Sequence, residues 1–408
     1  MRLTILILLG GLSVLLVGFG LLGTLLGVRA TIESFTNLQT GLIMAGYYLG
    51  YILGSWHGPE VIRRVGHIRA FAAFAALGAA STLVFGLLVH AEVWFFLRVI
   101  NGASVVGLYM VVESWLNAQT PSNTRGRVFA IYMITTLLAL AGGQFLLLVY
   151  DPASLSAFVL SSVLIILAII PIAVTRVTEP LIELHEHLRL RRLFNLSPLG
   201  AVGAICAGFV GGAFWGMTPV FGSRLGLDET AIALLMSSTI LGGVFLQWPV
   251  GHLSDRHDRR RVLILVSFCA AVIAMASGYL VLIERSLVIA AFLYGGLMFS
   301  VYSLSVAHTN DHLAKGQMLS ATRGLLLLYG MGALLGPLAG GLMMDWVGPV
   351  GLHWLSAATL MLLSLYGVHR MMQRAPPAQG QSEFVPLART SPVVMEMHPE
   401  AKQDATTI

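Results

Sequence analysis

Twelve stretches of about twenty apolar residues, each almost free of charge, follow one another along this chain, and no other property of the sequence restricts its fold so tightly. They fall near residues 5–28, 39–58, 69–90, 94–117, 128–149, 155–175, 199–221, 229–251, 261–283, 287–310, 323–345 and 351–370. A run of that length crosses a hydrocarbon layer of about 30 Å as a helix, because nothing in the layer can bond backbone N–H and C=O groups from outside. Composition agrees: 57% of the 408 residues are apolar and 11% charged, against about 25% charged in a soluble domain. The expected fold class is therefore an all-α membrane protein with twelve transmembrane helices. The first run follows Met1 and Arg2, is too long for a signal core and lacks a small-residue cleavage site, so it reads as a retained helix. Cys206 and Cys269 lie inside spans and imply packing, with no disulfide framework.

The net charge of +5 would suggest nucleic acid in a soluble protein, but here its distribution follows topology. If the chain starts inside, nineteen of its 24 lysines and arginines fall in inward segments, among them Arg63, Arg64 and Arg69, then Arg125 and Arg127, Arg189 to Arg192, and Arg256 to Arg261. Outward loops hold only Arg29, Arg224 and Arg285, while Arg98 and Arg323 lie within spans. The positive-inside rule then places both termini in the cytoplasm of a multi-pass protein of the cell inner membrane, with no nucleic-acid partner.

Residues 176–198, rich in Glu, His and Arg, divide the spans six and six, giving bundles at 1–175 and 199–371. An internal repeat supports the division: Ser122, Thr124, Arg125, Gly126, Gly142 and Gly143 match Ser320, Thr322, Arg323, Gly324, Gly340 and Gly341 at a constant offset of 198 residues. Duplicated halves are a transporter signature. At the same offset Glu113 meets Asp311, so each half ends its fourth span with an acid. Residues 372–408 turn to Pro, Gln, Ala, Thr and scattered charge and read as a disordered cytoplasmic tail with no essential role.

The strongest local signal is Gly251-His252-Leu253-Ser254-Asp255-Arg256-His257-Asp258-Arg259-Arg260, between spans eight and nine. It resembles the G-x-L-x-D-R-x-G-R-R loop of the major facilitator superfamily, with Asp258 where that family has glycine. The resemblance implies two pseudo-symmetric six-helix bundles and a secondary transporter working by alternating access. The strings Tyr47-Tyr48-Leu49-Gly50, Val111-Val112-Glu113-Ser114, Arg125-Gly126-Arg127 and Gln247-Trp248-Pro249 narrow it to the YcaD-like group of bacterial members, over most of the twelve spans.

A short basic loop with one acid can tie helices together through charge-assisted hydrogen bonds that must break for that side to open. In the matching first-half loop Arg63 stands where the acid is expected, followed by Arg64, Val65 and Gly66. Two gating latches are therefore expected: Glu113 with Arg63 or Arg64, and Asp311 with the loop holding Asp255, Arg256 and Arg259. The alternative for both acids is solvation at the interface.

Gly46, Gly50, Gly54 and Gly58 recur every four residues and stack along one face of span two. Span eleven carries Gly332, Gly336, Pro337, Gly340 and Gly341, resembling the superfamily's G-x-x-x-G-P-x-x-G-G element, though displaced from the span that usually bears it. Because spans two and eleven adjoin in that fold, the two stripes are expected to pack on each other. Arg98, with Asn101 and Gly102 after it, resembles the family's R-x-x-x-G element; it serves either the solute or a tether from span four to carbonyls of span one. From the spans that line the cavity in that family, Arg98, Asn101, Tyr109, Trp215, Tyr294, Tyr302 and His308 are the substrate-cavity candidates, each of which could instead be packing.

No P-loop, nucleophile elbow, H-E-x-x-H or cluster of metal ligands occurs, so the reading has no enzyme activity, no cofactor and no metal. Acids at mid-membrane are scarce and Arg98 is the one deep charge, which favours a neutral, zwitterionic or anionic solute, with proton coupling as the expected energy source and a monomer as the working unit. A non-transporting sensor on the same fold and a membrane-embedded enzyme are the alternatives.

Overall fold

A computed structural model describes residues 3–121, 124–174, 190–280, 284–313, 317–373, 381, 384–387 and 389–394. The described chain is helical and contains no strand. Its helices are α1 (Leu3–Ile32), α2 (Asn37–Val65), α3 (His67–Leu87), α4 (Ala91–Gln119), α5 (Arg125–Gln144), α6 (Leu155–Leu167), α7 (Ile169–Val174), α8 (Leu190–Leu196), α9 (Pro198–Arg224), α10 (Glu229–Arg256), α11 (Arg259–Leu280), α12 (Glu284–Asn310), α13 (Met318–Val347) and α14 (Gly351–Gln373). α6 and α7 together make one span and α8 is a single short helix, which leaves twelve crossings in the expected order. Most of the expected central loop lies outside the described residues.

Among the described residues, eleven helical segments are long and apolar enough to cross a bilayer. The twelfth, α2, has 29 residues, ample for a span. Its apolar character is diluted by five glycines, three tyrosines and His57.

The chain divides into two compact units. The first holds Met1–Phe35, Leu42–His185 and Ala388–Ile408; the second holds Thr36–Gly41 and Glu186–Leu387. In the first unit α1 packs on α5 and α6, and α3 on α4 and α6. In the second, α9 packs on α13, α10 on α12 and α11 on α14.

The glycine stripes correct one expectation. Gly46, Gly50 and Gly54 face α4 inside the first unit, meeting Phe95 and Arg98, Val99, and Ala103 with Val106 respectively. Gly332 and Gly336 face α9 inside the second, against Ile205 and Phe209, and Gly340 meets Leu352 and Met217. The two stripes therefore serve separate pairs, α2 with α4 and α9 with α13. A four-residue glycine period requires that some backbone come close but does not say which. Within the second unit, Gly41 meets the Pro337 carbonyl and Gly341 the Asn37 carbonyl. Pro337 sits inside α13, where its missing N–H opens the backbone ladder.

One turn explains a retained glycine. Gly66 has φ 85° and is the single residue separating α2 from α3. The left-handed conformation there lets the chain reverse in one residue, at little cost only for glycine.

Two adjacent glycines on α5 test the packing argument. A Cβ on Gly143 would overlap the Val17 carbonyl of α1, whereas one on Gly142 meets nothing within 4 Å. Gly143→Ala should lower the thermal unfolding temperature of the detergent-solubilised protein, overpacking costing about 1–3 kcal/mol. Gly142→Ala should leave it unchanged or raise it, since Ala is favoured over Gly in a helix by roughly 0.5–1 kcal/mol.

Candidate functional site

Four of the residues singled out from the sequence belong to α4. At 100° per residue, Arg98, Asn101, Tyr109 and Glu113 fall within an arc of roughly 120°, so one face of the helix carries them all. All four are buried, Asn101 and Glu113 completely. Fifteen residues of helix set Arg98 and Glu113 about 22 Å apart along the axis.

Arg98 donates from Nη1 to Asn101 Oδ1 at 3.4 Å and from Nη2 toward Met44 Sδ at 3.6 Å, both long contacts. Its guanidinium lies 4.8 Å from the centre of the Tyr47 ring, a cation–π arrangement. Arg98 Nε and Asn101 Nδ2, both buried donors, have no hydrogen-bond partner. Among the described residues the bonds of Arg98 run to α4 itself and to α2, with none to a carbonyl of α1. This corner of the first unit presents several unspent donors, a positive charge and an aromatic face.

Glu113 departs from expectation. Arg63 and Arg64 bond Glu60, one turn earlier on their own helix, both as exposed ion pairs. Glu113 instead accepts from the Tyr132 hydroxyl of α5 and from the hydroxyls of Thr390 and Ser391 in the C-terminal segment. The Thr390 hydroxyl also lies 3.1 Å from that of Tyr132. The reason the expected latch is replaced is geometric: Arg63 and Arg64, in the last turn of α2, have an acid on the same helix at (i, i+3) and (i, i+4) spacing.

The second unit arranges its acid differently. Asp311, at the end of α12, receives two hydrogen bonds from Arg259 Nη1, at 2.8 and 3.0 Å. Arg259 also donates from Nη2 to Asp255 Oδ1 at 3.2 Å and from Nε to Ser254 Oγ at 3.0 Å. Its side chain is only 1% exposed, as is that of Asp311, while Asp255 is 33% exposed. Such a buried guanidinium is tolerable because nearly every donor is used. Arg256 is exposed on the other side of the turn.

Asp258 shows why the family's glycine can be replaced. It directly precedes α11, and its carboxylate accepts the Arg260 N–H at 3.0 Å together with Arg260 Nε at 3.1 Å and Nη2 at 2.7 Å. An Asp at a helix start caps free N–H groups and complements the helix dipole, so no left-handed turn is needed. The Arg260 hydrogen bond holds its carboxyl below the usual Asp range, with burial opposing.

The corresponding position in the first unit is His67, the first residue of α3 as Arg259 is of α11. His67 bonds Ser114 Oγ at 2.7 Å and packs against the Trp115 ring. A neutral-capable side chain bonded to the neighbour of Glu113 stands where the second unit has a guanidinium bonded to Asp311.

The remaining cavity candidates belong to the second unit. Trp215 on α9 is half-buried and packs edge-on with Phe214 and Phe299. Tyr302 packs edge-on with Tyr329, Tyr294 is buried, and His308 lies ring to ring with His312 at 4.7 Å. Among the described residues no group of three or more His, Cys, Asp or Glu could hold a metal ion.

Sequence reasoning missed Tyr132, Tyr51, Tyr47 and Met44, whose roles depend on which face of each helix turns inward. It also missed Thr390 and Ser391 by treating the whole tail as unstructured. Part of that tail is folded back, and Phe384, Leu387, Val393 and Val394 are buried. The signal was present: apolar residues Phe384, Val385, Leu387, Val393 and Val394 cluster within an otherwise polar stretch.

Two bundles of apolar helices with buried polar clusters on their fourth helices define a polytopic membrane transporter. The family model of the Major Facilitator Superfamily matches residues 7–325 and, in a second match, 200–397, and the chain belongs to that superfamily. It is 28% identical over 335 residues to an uncharacterized MFS-type transporter of Enterobacter sp. (strain 638), covering 82% of this chain and 87% of that protein. The same identity and coverage relate it to the uncharacterized MFS-type transporter YcaD of Escherichia coli (strain K12 / DH10B). The solved structure of the nucleoside transporter NupG superposes with a TM-score of 0.71 over 92% of this chain and 100% of that one, at 14% identity. A bacterial homolog of the human lysosomal transporter Spinster, inward-facing and unoccupied, superposes with a TM-score of 0.67 over the full length of both chains at 16% identity. The protein is thus a multi-pass membrane transporter and not an enzyme.

The two carboxylates that share Arg259 should behave unequally. Asp311→Asn leaves a buried guanidinium short of its main counter-charge and should destabilise the solubilised protein by about 3–5 kcal/mol. Asp255→Asn, at a third-exposed site, should cost about 0–1 kcal/mol. Thermal unfolding of the two variants beside the wild type checks the order.

Proposed function

We propose that this chain is a secondary active transporter that carries a small solute bearing an anionic group across the inner membrane by alternating access, coupled to protons. The observation that carries the reading is Arg98. A guanidinium at depth costs about 2.5–3.5 kcal/mol on insertion scales and so usually serves a purpose. This one is 7% exposed, has no carboxylate among its described bonds, and leaves its Nε and the adjacent Asn101 Nδ2 unbonded. A carboxylate, phosphate or sulfonate can take several of these donors at once, with guanidinium geometry suited to a two-oxygen contact. The Tyr47 ring, already against the guanidinium, offers a flat apolar surface to whatever bears the anion. Both anionic and zwitterionic solutes meet this description.

Glu113 is the group this reading assigns to proton coupling, being a fully buried carboxylate on the same helix face as Arg98. The Arg259 cluster is assigned to gating, because its bonds from α11 to Asp311 on α12 join helices through groups that can separate and re-form. Both termini are assigned to the cytoplasm from the distribution of basic residues.

A panel of small carboxylates, phosphates, sulfonates, neutral polyols and amines, tested for thermal stabilisation of the purified protein, should identify anionic or zwitterionic compounds. Those compounds should enter proteoliposomes under an imposed proton gradient. Arg98→Gln should lose both the stabilisation and the flux. Stabilisation by amines or polyols alone, or equal stabilisation of wild type and Arg98→Gln, would refute the assignment. Binding without flux under any gradient would favour the sensor alternative.

A further inference from the structure

We infer that the C-terminal segment around residues 384–394 is a built-in occupant of the polar site at Glu113, and that the site becomes available only when the segment withdraws. The inference goes beyond the transport reading and does not depend on which solute is carried. The segment starts eleven residues after α14 ends and forms neither helix nor strand over most of its length. Irregular chain of this kind normally runs over a surface, because its backbone groups need water. Here Phe384, Leu387, Thr390, Ser391, Val393 and Val394 are all less than a tenth exposed, and Ser391 is fully buried. Arg389 is the single charged residue between Phe384 and Val394.

The first unit receives the later part of the segment. Thr390 and Ser391 donate to different oxygens of Glu113, and the Tyr51 hydroxyl donates to the Arg389 carbonyl at 3.2 Å. Ser391 Oγ also accepts the Val393 N–H at 3.1 Å, so the turn that buries the two valines is built around the hydroxyl that holds Glu113. A fully buried carboxylate needs donors. Of the three hydroxyls bonded to it, two come from the segment and one, Tyr132, from the helix bundle. The segment therefore supplies a hydroxyl donor to each oxygen of this acid.

The second unit receives the earlier part. The Phe384 N–H donates to Asp255 Oδ1 at 2.9 Å, the Leu387 N–H to Ser303 Oγ at 3.1 Å, and the Phe384 ring lies against Gly251, where a Cβ would overlap it. Gly251 and Asp255 both lie in the last turns of α10, within the 251–260 motif that leads into α11. Asp255 Oδ1 is the same oxygen that accepts from Arg259. The Phe384 N–H and Arg259 Nη2 thus share one carboxylate oxygen.

The fit is specific rather than a general attraction of an apolar tail to an apolar surface. Two hydroxyls at adjacent positions match two oxygens of one carboxylate, and a bulky ring fills the space that only a glycine leaves. A segment tethered to the chain returns to its site at high effective concentration, so modest intrinsic affinity keeps it seated.

The test uses the full chain in detergent, with Cys206 and Cys269 replaced by Ala and a reporter thiol introduced by Tyr51→Cys. Labelling by a water-soluble maleimide is compared in this protein, in one ending at residue 379, and in full-length Ser391→Asp. A site covered nine-tenths of the time labels about tenfold more slowly than an open one, since the rate follows the open fraction. Truncation should therefore speed labelling by about tenfold, and Ser391→Asp, which sets a second carboxylate against Glu113, should do the same with the tail present. Equal labelling of intact and truncated protein would overturn the inference. So would Ser391→Asp labelling as slowly as the intact chain, because docking would then not run through Glu113.

Discussion

A charge buried in a helical bundle that lies in hydrocarbon has to be answered by the protein itself, since lipid supplies no donor, acceptor or counter-ion. Three buried ionisable side chains show three answers. Arg259 is bonded by two carboxylates and a hydroxyl, and with Asp311 it approaches a fully satisfied pair. Glu113 is bonded by neutral hydroxyls from Tyr132, Thr390 and Ser391. Arg98 has a long contact to an amide, a thioether and a ring face. The order runs from most to least satisfied, and functional assignment follows it. A saturated pair is suited to holding helices in one state, whereas an unsaturated charge is suited to receiving something that is not always there.

The duplication makes these differences interpretable, because each unit is the other's control. An acid lies near the end of each fourth helix, Glu113 within the last two turns of α4 and Asp311 just after α12, and both third helices begin with a cationic or potentially cationic residue, His67 or Arg259. Where that residue is arginine, it reaches the acid. Where it is histidine, the shorter side chain bonds Ser114 instead, and Glu113 takes hydroxyl donors. A change of one side chain at the start of α3 thus accompanies a change in what the neighbouring carboxylate can bind.

How far the sequence could be read depended on whether an interaction was local. Span number and helix order were legible because twenty-residue apolar runs are properties of the string itself. The pairing of Asp311 with the loop holding Arg259 was a reasonable expectation for the same reason, since the loop motif and the acid both sit at helix ends. The Glu113 expectation went astray because Glu60, lying three and four residues before Arg63 and Arg64, was passed over as a nearer acid. The glycine stripes gave the correct chemistry and the wrong partner, because a smooth face carries no address. The C-terminal segment was lost to composition: averaged over 37 residues it looks polar and irregular, and the four apolar residues that become buried are too few to shift that average.

The glycine contacts also limit where conformational change can occur. Gly50 and Gly102 bring the backbones of α2 and α4 together, Gly242 and Gly295 do so for α10 and α12, Gly332 and Gly336 for α9 and α13, and Gly20 and Gly143 for α1 and α5. In each pair the nearest atoms to an added Cβ are carbonyl oxygens or Cα atoms of the partner, so only glycine lets the two backbones come this close. Close-packed interfaces of this kind switch between discrete arrangements rather than deform gradually. Two features do not depend on these pairs: the bonds around Arg259 and the irregular segment over Glu113. Of these the segment is held by the fewer covalent constraints, and it is bonded to groups that the rest of the fold leaves in fixed positions. A chain whose helices are closely packed in pairs places its adjustable contacts where no helix is, and here that place is the stretch of tail from Phe384 to Val394.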